Sequence, residues 1–454
     1  MSAGSDILNL PHVRVVGIEE HKTHYVVSAV GAVEPTACPA CTSTALHRHG
    51  TKQQSFMDTP MHGKRVEINF ERRRYRCTAC GKTMLESLPS MDSKRQMTSR
   101  LLAYIERRCV QSTFAEVSRE VGVDDKTIRH VFDDYTARTR EALIFETPRV
   151  LGIDELKIVG EYRCMLTNIE ANSVFDLLRS RKKADLLPYF RHLKDKQKIE
   201  IVTMDMWSVY RQVVAAQLPG RMVVVDKFHV LRMANDALER VRKRIRRELA
   251  PKTRIKMKNE RFVLLKRLRD LSEEERDALQ GWGELYPALA AAHAAKESFF
   301  GIYEQPDRKS AEEAARAWEG NLEPLIAGEF RETLGALKSW WTEIFNIFEA
   351  PVTNAYTESV NRLAKDVNRM GRGYSFDVIR ARLLFDQDAR EPTKSVVRTK
   401  VRRPVQEKSD GLMRLFGTFK PSPTRFETVV EERTIEYGPH IPTLCRLLEE
   451  GHFE

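Results

Sequence analysis

The sequence contains no run of about 18 consecutive apolar residues, so it predicts no membrane-spanning helix. Its first residues, MSAGSDILNL, have neither the basic start nor the apolar core of a signal peptide, and we therefore expect a cytoplasmic protein, associated with the nucleoid when bound. Neither GxxxxGKS nor GxxxxGKT occurs, so the sequence predicts no phosphate-binding loop of the ATPase type.

Acidic residues are fewer than basic ones, 64 against 75, which leaves a formal net charge of +11. The excess is concentrated in one stretch: between Arg232 and Arg269 there are 15 lysines and arginines and four acids. A stretch of this kind favours an anionic partner, most simply nucleic acid, although a solvated helix face is the alternative. The length of 454 residues is too great for one core and predicts two to four domains.

Four of the seven cysteines form two CxxC pairs, Cys38 with Cys41 and Cys77 with Cys80. In a cytosolic protein such pairs indicate metal binding rather than disulfides. Zinc binds four thiolates tetrahedrally, and a strand hairpin can fill the gap of about 35 residues between the pairs. The sequence therefore predicts structural Zn2+ on these four ligands, with free thiols as the alternative, and does not require the nearby His47 or His49.

Residues 91–146 have helical periodicity. Within them, STFAEVSREVGVDDKTIRHVFDDYTART predicts a helix, a tight turn at Gly122 and a second helix that begins near Asp124 or Asp125. The pattern is typical of a helix-turn-helix, whose second helix enters the major groove of DNA, although an ordinary helical hairpin is the alternative. The side chains expected to face the groove are Lys126, Thr127, Arg129 and His130.

After Pro148 the apolar period changes to that of strands. The segments RVLGIDELKIV, RCMLTNIE and SVFDLLRS predict three strands, followed by a helix, the strand IEIVTMD, a helix and the strand within RMVVVDKFHV. The order β-β-β-α-β-α-β-α is that of a ribonuclease-H-like fold. Residues from 231 to 349 are then almost entirely helical in pattern, and a strongly amphipathic helix follows in NAYTESVNRLAKDVNRM.

The expected fold class is multidomain α+β. It has a zinc ribbon-like domain, a helix-turn-helix and a ribonuclease-H-like α/β catalytic domain interrupted by an all-helical insertion. The expected boundaries are 1–90 for the zinc-binding β-rich domain, 91–147 for the helix-turn-helix, 148–230 with 350–390 for the catalytic domain, 231–349 for the insertion and 391–454 for a basic C-terminal arm and tail.

Two aspartates are expected to meet although about 50 residues separate them. Asp154 lies in the first strand of the predicted sheet and Asp205 ends the fourth, which is its neighbour in this fold. Glu358 lies on the amphipathic helix, on the face that also carries Asn354, Asn361, Arg362 and Lys365. Three carboxylates in that order suit Mg2+, or Mn2+, because two such ions can activate an attacking oxygen and stabilise a leaving one at a phosphate.

The segments GIDE, TMDMWSVY, VVVDKFHVLRMANDALERVR and NAYTESVNRLAKDVNRMGRGYSFDVIRARLLF together resemble the transposases of the insertion-sequence family ISL, type three. The double CxxC resembles that family's zinc-binding domain, and the resemblance extends to about residue 390. It implies a DDE transposase with an all-helical insertion between the second aspartate and the glutamate. Such an enzyme would bind the terminal inverted repeats of a mobile element, cut a strand with water and join the freed 3′-OH to target DNA.

The resemblance leaves the second aspartate open between two residues. Asp226 and His229 match the Asp-x-x-His signature that accompanies such insertions, so that Asp226 could replace Asp205 in the triad. We choose Asp205 because its strand neighbours the first, and we expect Asp226, His229, Asn361 and Lys365 beside the triad or towards the phosphate. A buried histidine with a structural hydrogen bond is the alternative for His229, and Glu155 is taken as a flanking residue.

The expected partner is double-stranded DNA, both the element ends and the target. We expect at least two copies of the chain on the DNA and no association with a membrane. We expect phosphate contacts along the basic stretch after His229 and at the loop that follows the Glu358 helix; the residues are Arg242, Lys243, Arg244, Arg246, Arg247, Arg369 and Arg372. A DNA-binding regulator that has lost catalysis and a nuclease that cleaves without joining are the competing hypotheses.

Overall fold

The computed structural model describes residues 8–142 and 146–385 and the backbone of two further strands, Thr393–Pro404 and Phe426–Tyr437. The chain divides into two compact units, one within residues 1–145 and 367–386 and one within residues 146–366 and 387–454. The sequence TIEYGPHIPTLCRLLEEGHFE, residues 434–454, is expected to form a short helix near the C-terminus; its first four residues lie instead in the strand Phe426–Tyr437, and residues 438–454 lie outside the described residues.

A five-stranded sheet forms the base of the first unit. Its strands are β1 (Val13–Glu20), β2 (His24–Gly31), β3 (Leu46–Met61), β4 (Lys64–Cys77) and β5 (Thr83–Leu85). The order is β1-β2-β4-β3 with β5 paired to β4, and β2 and β4 run parallel. Buried and partly exposed positions alternate along β2, which places Tyr25, Val27 and Ala29 in the core with Ile68 and Phe70 of β4.

Among the described residues, the helices that lie wholly within the first unit are α1 (Ser99–Gln111), α2 (Phe114–Val121), α3 (Asp125–Ala142) and α15 (Phe376–Phe385). Thr113 and Glu116 form a reciprocal capping box at the start of α2. Gly122 ends this helix with a φ of 77°, a left-handed conformation that glycine adopts without strain. The Asp124 carboxylate accepts from the backbone N–H of Thr127 at 2.9 Å, so the second helix begins where the sequence predicted.

The second unit contains a mixed sheet with the strands β6 (Val150–Ile158), β7 (Glu161–Asn168), β8 (Ser173–Leu178), β9 (Ile201–Met204) and β10 (Met222–Val225). Its order is β10-β9-β6-β7-β8. The strands β6, β9 and β10 are parallel, whereas β7 is antiparallel to both of its neighbours. With α4 (Lys183–His192), α5 (Ser208–Gln217) and α6 (Lys227–Arg247), the element order is the one predicted from the apolar runs.

Every further regular element described between α6 and residue 349 is helical. These elements are α7 (Pro251–Asn259), α8 (Arg261–Leu265), α9 (Glu273–Leu285), α10 (Pro287–Ile302), α11 (Arg308–Gly320), α12 (Ala327–Ser339) and α13 (Trp341–Phe345), with short 3-10 turns. The helix α14 (Ala355–Gly371) follows, and β11 (Thr393–Pro404) pairs with β12 (Phe426–Tyr437) as an antiparallel ribbon. None of the helices in the described part of the chain combines the length and apolar character needed to cross a bilayer.

A buried lysine joins two helices of this helical region. The Lys296 ammonium on α10 donates to the backbone carbonyls of Leu264, Leu265 and Lys266 at the end of α8, and it pairs with Glu297 at 2.9 Å. Replacing Lys296 by methionine leaves these carbonyls without their donor. We expect Lys296→Met to lower the free energy of unfolding by about 3–5 kcal/mol.

Urea unfolding followed by tryptophan fluorescence measures this effect, because Trp318 donates to the Ala295 carbonyl beside α10. The matched control is Lys338→Met, which removes an exposed lysine paired with Glu319. It should change the free energy of unfolding by less than about 0.5 kcal/mol. Equal unfolding midpoints for the two variants would show that the Lys296 contacts contribute nothing.

Candidate functional site

The four cysteines of the two CxxC pairs lie together in the first unit. The Cys38 and Cys80 sulfurs are 3.7 Å apart, those of Cys41 and Cys77 are 3.6 Å apart, and all four lie within 4.8 Å of one another. Tetrahedral zinc with bonds of about 2.3 Å to sulfur requires edges of about 3.8 Å. The sulfur positions therefore fit a zinc ion, and no histidine belongs to this group in the described residues.

Two tight turns present these sulfurs. The backbone N–H of Thr42 donates to the Cys38 carbonyl at 2.8 Å, and that of Gly81 donates to the Cys77 carbonyl at 2.9 Å. Both donors have a positive φ, 58° and 69°. The backbone N–H of Cys80 lowers the pKa of the Cys77 thiol to about 7, whereas the neighbouring sulfurs of Cys80, Cys77 and Cys38 raise the pKa of Cys41 to about 12 against the N–H of Ser43. Four thiolates at this spacing therefore require a cation.

A second cluster of ionisable groups lies at the centre of the second unit. Asp154 lies within β6 and Asp205 directly follows β9, and the last residue of β9, Met204, pairs with Ile153. The two aspartates are therefore neighbours across two parallel strands. Asp154 and Asp205 each have a carboxylate oxygen within 4.8 Å of a nitrogen of His229. Asp226 and Glu358 form a second group with the same histidine, within the same distance.

Glu358 reaches this cluster from the first turn of α14, which a chain of polar contacts fixes over β6. The Asn354 amide donates to the Ile153 carbonyl at 3.2 Å. The Thr357 hydroxyl donates to the Asn354 side chain at 2.6 Å and shares a 2.6 Å hydrogen bond with the Thr167 hydroxyl on β7. Because all of these groups are buried, their hydrogen bonds hold the start of the helix in one position.

Gly152 allows this close approach between strand and helix. A Cβ atom at this residue would lie 2.4 Å from the Thr167 hydroxyl and 2.5 Å from the Thr357 hydroxyl. Gly152 and Thr167 were not predicted as site residues. A glycine inside a buried strand was the available signal, because it often marks a place where another element approaches the backbone.

We expect Gly152→Ala to lower the free energy of unfolding by about 1–3 kcal/mol, because the added methyl group must displace one of the two buried threonines. Gly335→Ala is the control: its Cβ would meet nothing within 4 Å on α12, and the change should stabilise the protein by up to about 1 kcal/mol. Thermal unfolding of both variants shows whether Gly152→Ala lowers the stability while Gly335→Ala raises it. A stabilising Gly152→Ala would contradict the tight packing.

His229 contacts two of the carboxylates through one atom. Its Nε2 lies 2.9 Å from Asp205 and 3.2 Å from Glu358. Burial lowers the pKa of His229, but the adjacent carboxylates of Asp205 and Glu358 outweigh it and raise the pKa to about 11. The imidazolium therefore neutralises part of the negative charge. The two carboxylate neighbours favour a place for His229 beside the triad, and a buried histidine with a structural hydrogen bond is still the alternative.

The aspartates differ in their surroundings. Burial and the charge of Asp205 raise the pKa of Asp154 well above its usual value. Burial also raises the pKa of Asp226 to about 6, and its carboxylate caps the start of α6 by accepting from the N–H of Phe228 at 3.3 Å. The side chain of Asp226 is nearly inaccessible, whereas that of Asp205 is 19% exposed. The geometry thus gives Asp226 a helix-capping contact and leaves Asp205 accessible from solvent.

The donor set of this cluster is suited to a hard divalent cation. Such ions take carboxylate oxygens, and here four carboxylates lie around His229 in two overlapping groups, Asp154 with Asp205 and Asp226 with Glu358. Without a cation their mutual repulsion must be relieved by protons, which agrees with the raised pKa values of Asp154 and His229. The residues present therefore fit magnesium or manganese.

Asn361 and Lys365, predicted on the same helix face as Glu358, have different positions. The Asn361 amide donates to the Asp154 carboxylate at 2.6 Å and to the Glu155 carbonyl at 3.3 Å. Lys365, one turn further along α14, is exposed. The helix is amphipathic, as predicted: Tyr356, Val360 and Val367 are buried and Leu363 is partly buried.

The predicted groove-facing residues lie on the first two turns of α3. Lys126, Arg129 and His130 are exposed and Thr127 is partly exposed, whereas Ile128 between them is buried. The Arg129 guanidinium also lies over the ring of Phe114, 5.4 Å from its centre. A cationic, accessible face is what the approach to a DNA groove requires.

The basic residues of α6 divide into two groups. Arg242 is buried, with two hydrogen bonds to Glu239, and Arg244 contacts Glu329 at 2.6 Å. Lys243 and Arg247 are exposed and Arg246 is partly exposed. Arg242 and Arg244 are therefore held in ion pairs within the protein. The neighbouring helix α7 carries further exposed cations; they are Lys252, Arg254, Lys256 and Lys258. Arg369 and Arg372 are exposed in the first unit.

Three stretches of the chain match models of known protein families. Residues 151–383 match a family model described as a transposase, residues 34–80 match the zinc-finger of transposase IS204/IS1001/IS1096/IS1165, and residues 86–136 match the helix-turn-helix domain of transposase family ISL3. The chain is also similar to the transposase for insertion sequence element IS1001 of Bordetella parapertussis. The two are 21% identical over 373 residues, which cover 79% of this chain and 92% of the relative.

Proposed function

The chain belongs to the ISL3 family of transposases, and from that premise we propose that Asp154, Asp205 and Glu358 form a DDE site that holds two magnesium ions. The convergence of these carboxylates with His229 is the observation that carries the proposal. A protein that only binds DNA gains nothing from several partly buried acids at one point, because their burial costs free energy.

The catalytic domain is assigned a ribonuclease-H-like fold, supported by the strand order β10-β9-β6-β7-β8 with one antiparallel member. The helices from α7 to α13 form the insertion, between Asp205 and Glu358. We keep the boundaries predicted from the sequence as a proposal, with one refinement: the limit between residues 230 and 231 falls inside α6, which continues to Arg247. The helix α15 groups with the first unit.

Each residue of the site has a distinct task. Asp154, Asp205 and Glu358 would hold the metal ions, which when bound lower the pKa of water and stabilise the leaving oxygen. Asn361 fixes the orientation of the Asp154 carboxylate through its 2.6 Å hydrogen bond. His229 holds a proton on Nε2 between Asp205 and Glu358 until cations replace its charge. Asp226 keeps His229 in place by capping α6.

The zinc domain and the helix-turn-helix bind DNA, and we assign the recognition of the terminal inverted repeats to the exposed face of α3. Lys126, Arg129 and His130 are its candidates for contacts with bases and phosphates. For phosphate contacts in the helical region we retain Lys243, Arg246 and Arg247. We leave out Arg242 and Arg244, which contact Glu239 and Glu329 at 2.6 Å, whereas Lys243 is exposed and lies 3.7 Å from Glu239. Two ends must be joined in one reaction, so we propose at least a homodimer on DNA.

Joining distinguishes the proposed enzyme from a nuclease with the same metal site. Both cut a phosphodiester with water, but only a transposase then uses the freed 3′-OH on a second DNA. The family assignment favours joining. An assay that resolves cleaved from joined product separates the two functions.

The choice between Asp205 and Asp226 is tested by replacing each with asparagine. We expect Asp205→Asn to reduce cleavage of a labelled element-end duplex by at least about a thousandfold, because it removes a metal ligand. Asp226→Asn keeps an acceptor for the Phe228 N–H and should reduce cleavage by about tenfold or less. The reverse order of effects would assign Asp226 to the triad.

A further inference from the structure

A cationic residue outside the carboxylate cluster lies at the same ends of the strands. Arg181 comes three residues after β8, whose last residue, Leu178, pairs with Cys164 of β7. Cys164 in turn pairs with Glu155 of β6. The register therefore brings the end of β8 level with Glu155, which directly follows Asp154.

Three side chains hold the Arg181 guanidinium in place. It forms an ion pair with Glu155, and it lies 4.1 Å from the ring centre of Tyr162 and 4.5 Å from that of Trp207. Aromatic faces on a guanidinium attract its charge and restrict its motion. The Arg181 side chain nevertheless keeps 27% of its surface exposed, so part of it is accessible from solvent.

The backbone around Arg181 is fixed as well. Arg163, which is buried, donates to the Arg179 carbonyl, and the Lys182 N–H donates to the Ser180 hydroxyl at 3.0 Å. The segment from Arg179 to Lys183 contains four cations in five residues. A local charge of this density, on a backbone held by specific hydrogen bonds, is suited to binding an anion.

Arg181 lies apart from the metal-binding side of the sheet. Because successive side chains of a strand point to opposite faces, Glu155 points away from the face that carries Asp154. Trp207, which covers Arg181, follows Asp205 by two residues at the start of α5. Arg181 and the carboxylates therefore flank the same strand ends from the two faces of the sheet.

We propose that Arg181 binds a backbone phosphate of the DNA strand next to the phosphate that is cut. The proposal rests on the DNA-cleaving function assigned above and adds a binding subsite to it. Glu155 occupies the guanidinium when DNA is absent, since a carboxylate and a phosphate offer the same two-oxygen edge to an arginine. Tyr162 and Trp207 keep the cation aimed at the strand ends after Glu155 is displaced.

The test measures binding of a fluorescein-labelled element-end duplex to the full chain in calcium at several salt concentrations. Arg181→Gln should bind about tenfold more weakly, and its plot of log affinity against log salt should be less steep by about one unit. Arg181→Lys should keep the slope, because it keeps the charge. Arg191→Gln, an exposed arginine on α4, is the matched control and should bind like the wild type.

Glu155→Gln separates a phosphate contact from a structural ion pair. If Arg181 binds phosphate, releasing it from Glu155 leaves binding equal or tighter with the slope unchanged. If Arg181 only supports the fold, Glu155→Gln and Arg181→Gln should weaken binding alike and lower the unfolding temperature together, and the proposal would be overturned. An unchanged salt slope in Arg181→Gln would also overturn it.

A scan with single methylphosphonates, which are neutral, locates the contact. At one position near the cut the neutral linkage should weaken binding of the wild type but not weaken Arg181→Gln any further. If the methylphosphonate and the Arg181→Gln substitution weaken binding independently at every position, so that their effects multiply, the subsite is contradicted. If the wild type binds the duplex but does not cut it in magnesium, the proposed function fails, whereas the slopes still decide whether Arg181 binds phosphate.

Discussion

Glu358→Gln should abolish cleavage and joining while DNA binding is retained. The substitution removes a negative charge from the cluster but preserves the shape of the side chain and a hydrogen-bonding group for His229. Since metal ions stabilise the transition state by several kcal/mol, we expect a loss of at least about a thousandfold in cleavage rate. The polar contacts of Asn354 and Thr357 remain, so the helix should keep its position.

The measurement compares single-turnover cleavage with binding of the same labelled duplex. Asp366→Asn, an exposed acid about two turns along the same helix, is the matched control and should cleave like the wild type. Equal cleavage by Glu358→Gln and the wild type would remove Glu358 from the triad. Loss of both binding and cleavage would instead point to a damaged fold.

Removing one cysteine from each CxxC pair should eliminate the zinc ion and the binding of element ends. In the double variant Cys38→Ser with Cys77→Ser, only two of the four sulfurs remain, whereas tetrahedral structural zinc requires four ligands. Structural zinc contributes about 10–16 kcal/mol to the folding of small zinc domains. We therefore expect the zinc-binding turns to unfold and the affinity for the duplex to fall by more than about tenfold.

Zinc content by atomic absorption and binding by fluorescence anisotropy measure the two effects. Cys109→Ala is the control, because this thiol is buried in α1 and burial raises its pKa to about 12. That variant should retain about one zinc ion per chain. A wild-type protein purified without zinc, or a double variant that keeps it, would contradict the assignment of the four cysteines.

Asp154 and Asp205 were proposed from the sequence because the apolar runs RVLGIDELKIV and IEIVTMD each contain a single aspartate. Two residues were open for the second aspartate, because Asp205 ends the run IEIVTMD and Asp226 ends the run VVVD; Asp205 was chosen because its strand neighbours the first in the expected fold. Glu358 needed more, namely an amphipathic helix and the family resemblance, because it lies more than 150 residues along the chain from Asp205. The sequence alone does not show that two residues so far apart in the chain lie close together in the fold.

Other features depend on tertiary contacts that no local pattern encodes. The strand β3 lacks a regular apolar alternation in LHRHGTKQQSFMDTPM and extends to 16 residues because it pairs with β4 along most of its length. Arg242 was expected at the surface on the basis of local charge. Arg242 is buried because it pairs with Glu239, three residues earlier on the same helix face. This spacing of opposite charges was visible in the sequence, but a count of charges along the chain does not use it.

Arg181 shows the same limit. Its sequence neighbours suggest only a solvated basic run, RSRKKAD. The partners that hold it come from three other elements: Glu155 from β6, Tyr162 from β7 and Trp207 from the start of α5. Such a set can be recognised only once the sheet register is known.

The most direct test of the account is the reaction itself, followed on one DNA. The purified chain is incubated with an end-labelled duplex taken from the DNA that flanks its gene, together with unlabelled target DNA, in magnesium or in EDTA. We expect two new products in magnesium, a shortened strand with a 3′-OH and a longer strand joined to the target, and neither product in EDTA. Both products in EDTA, or binding without any product in magnesium, would contradict a metal-dependent carboxylate site that cuts and joins DNA.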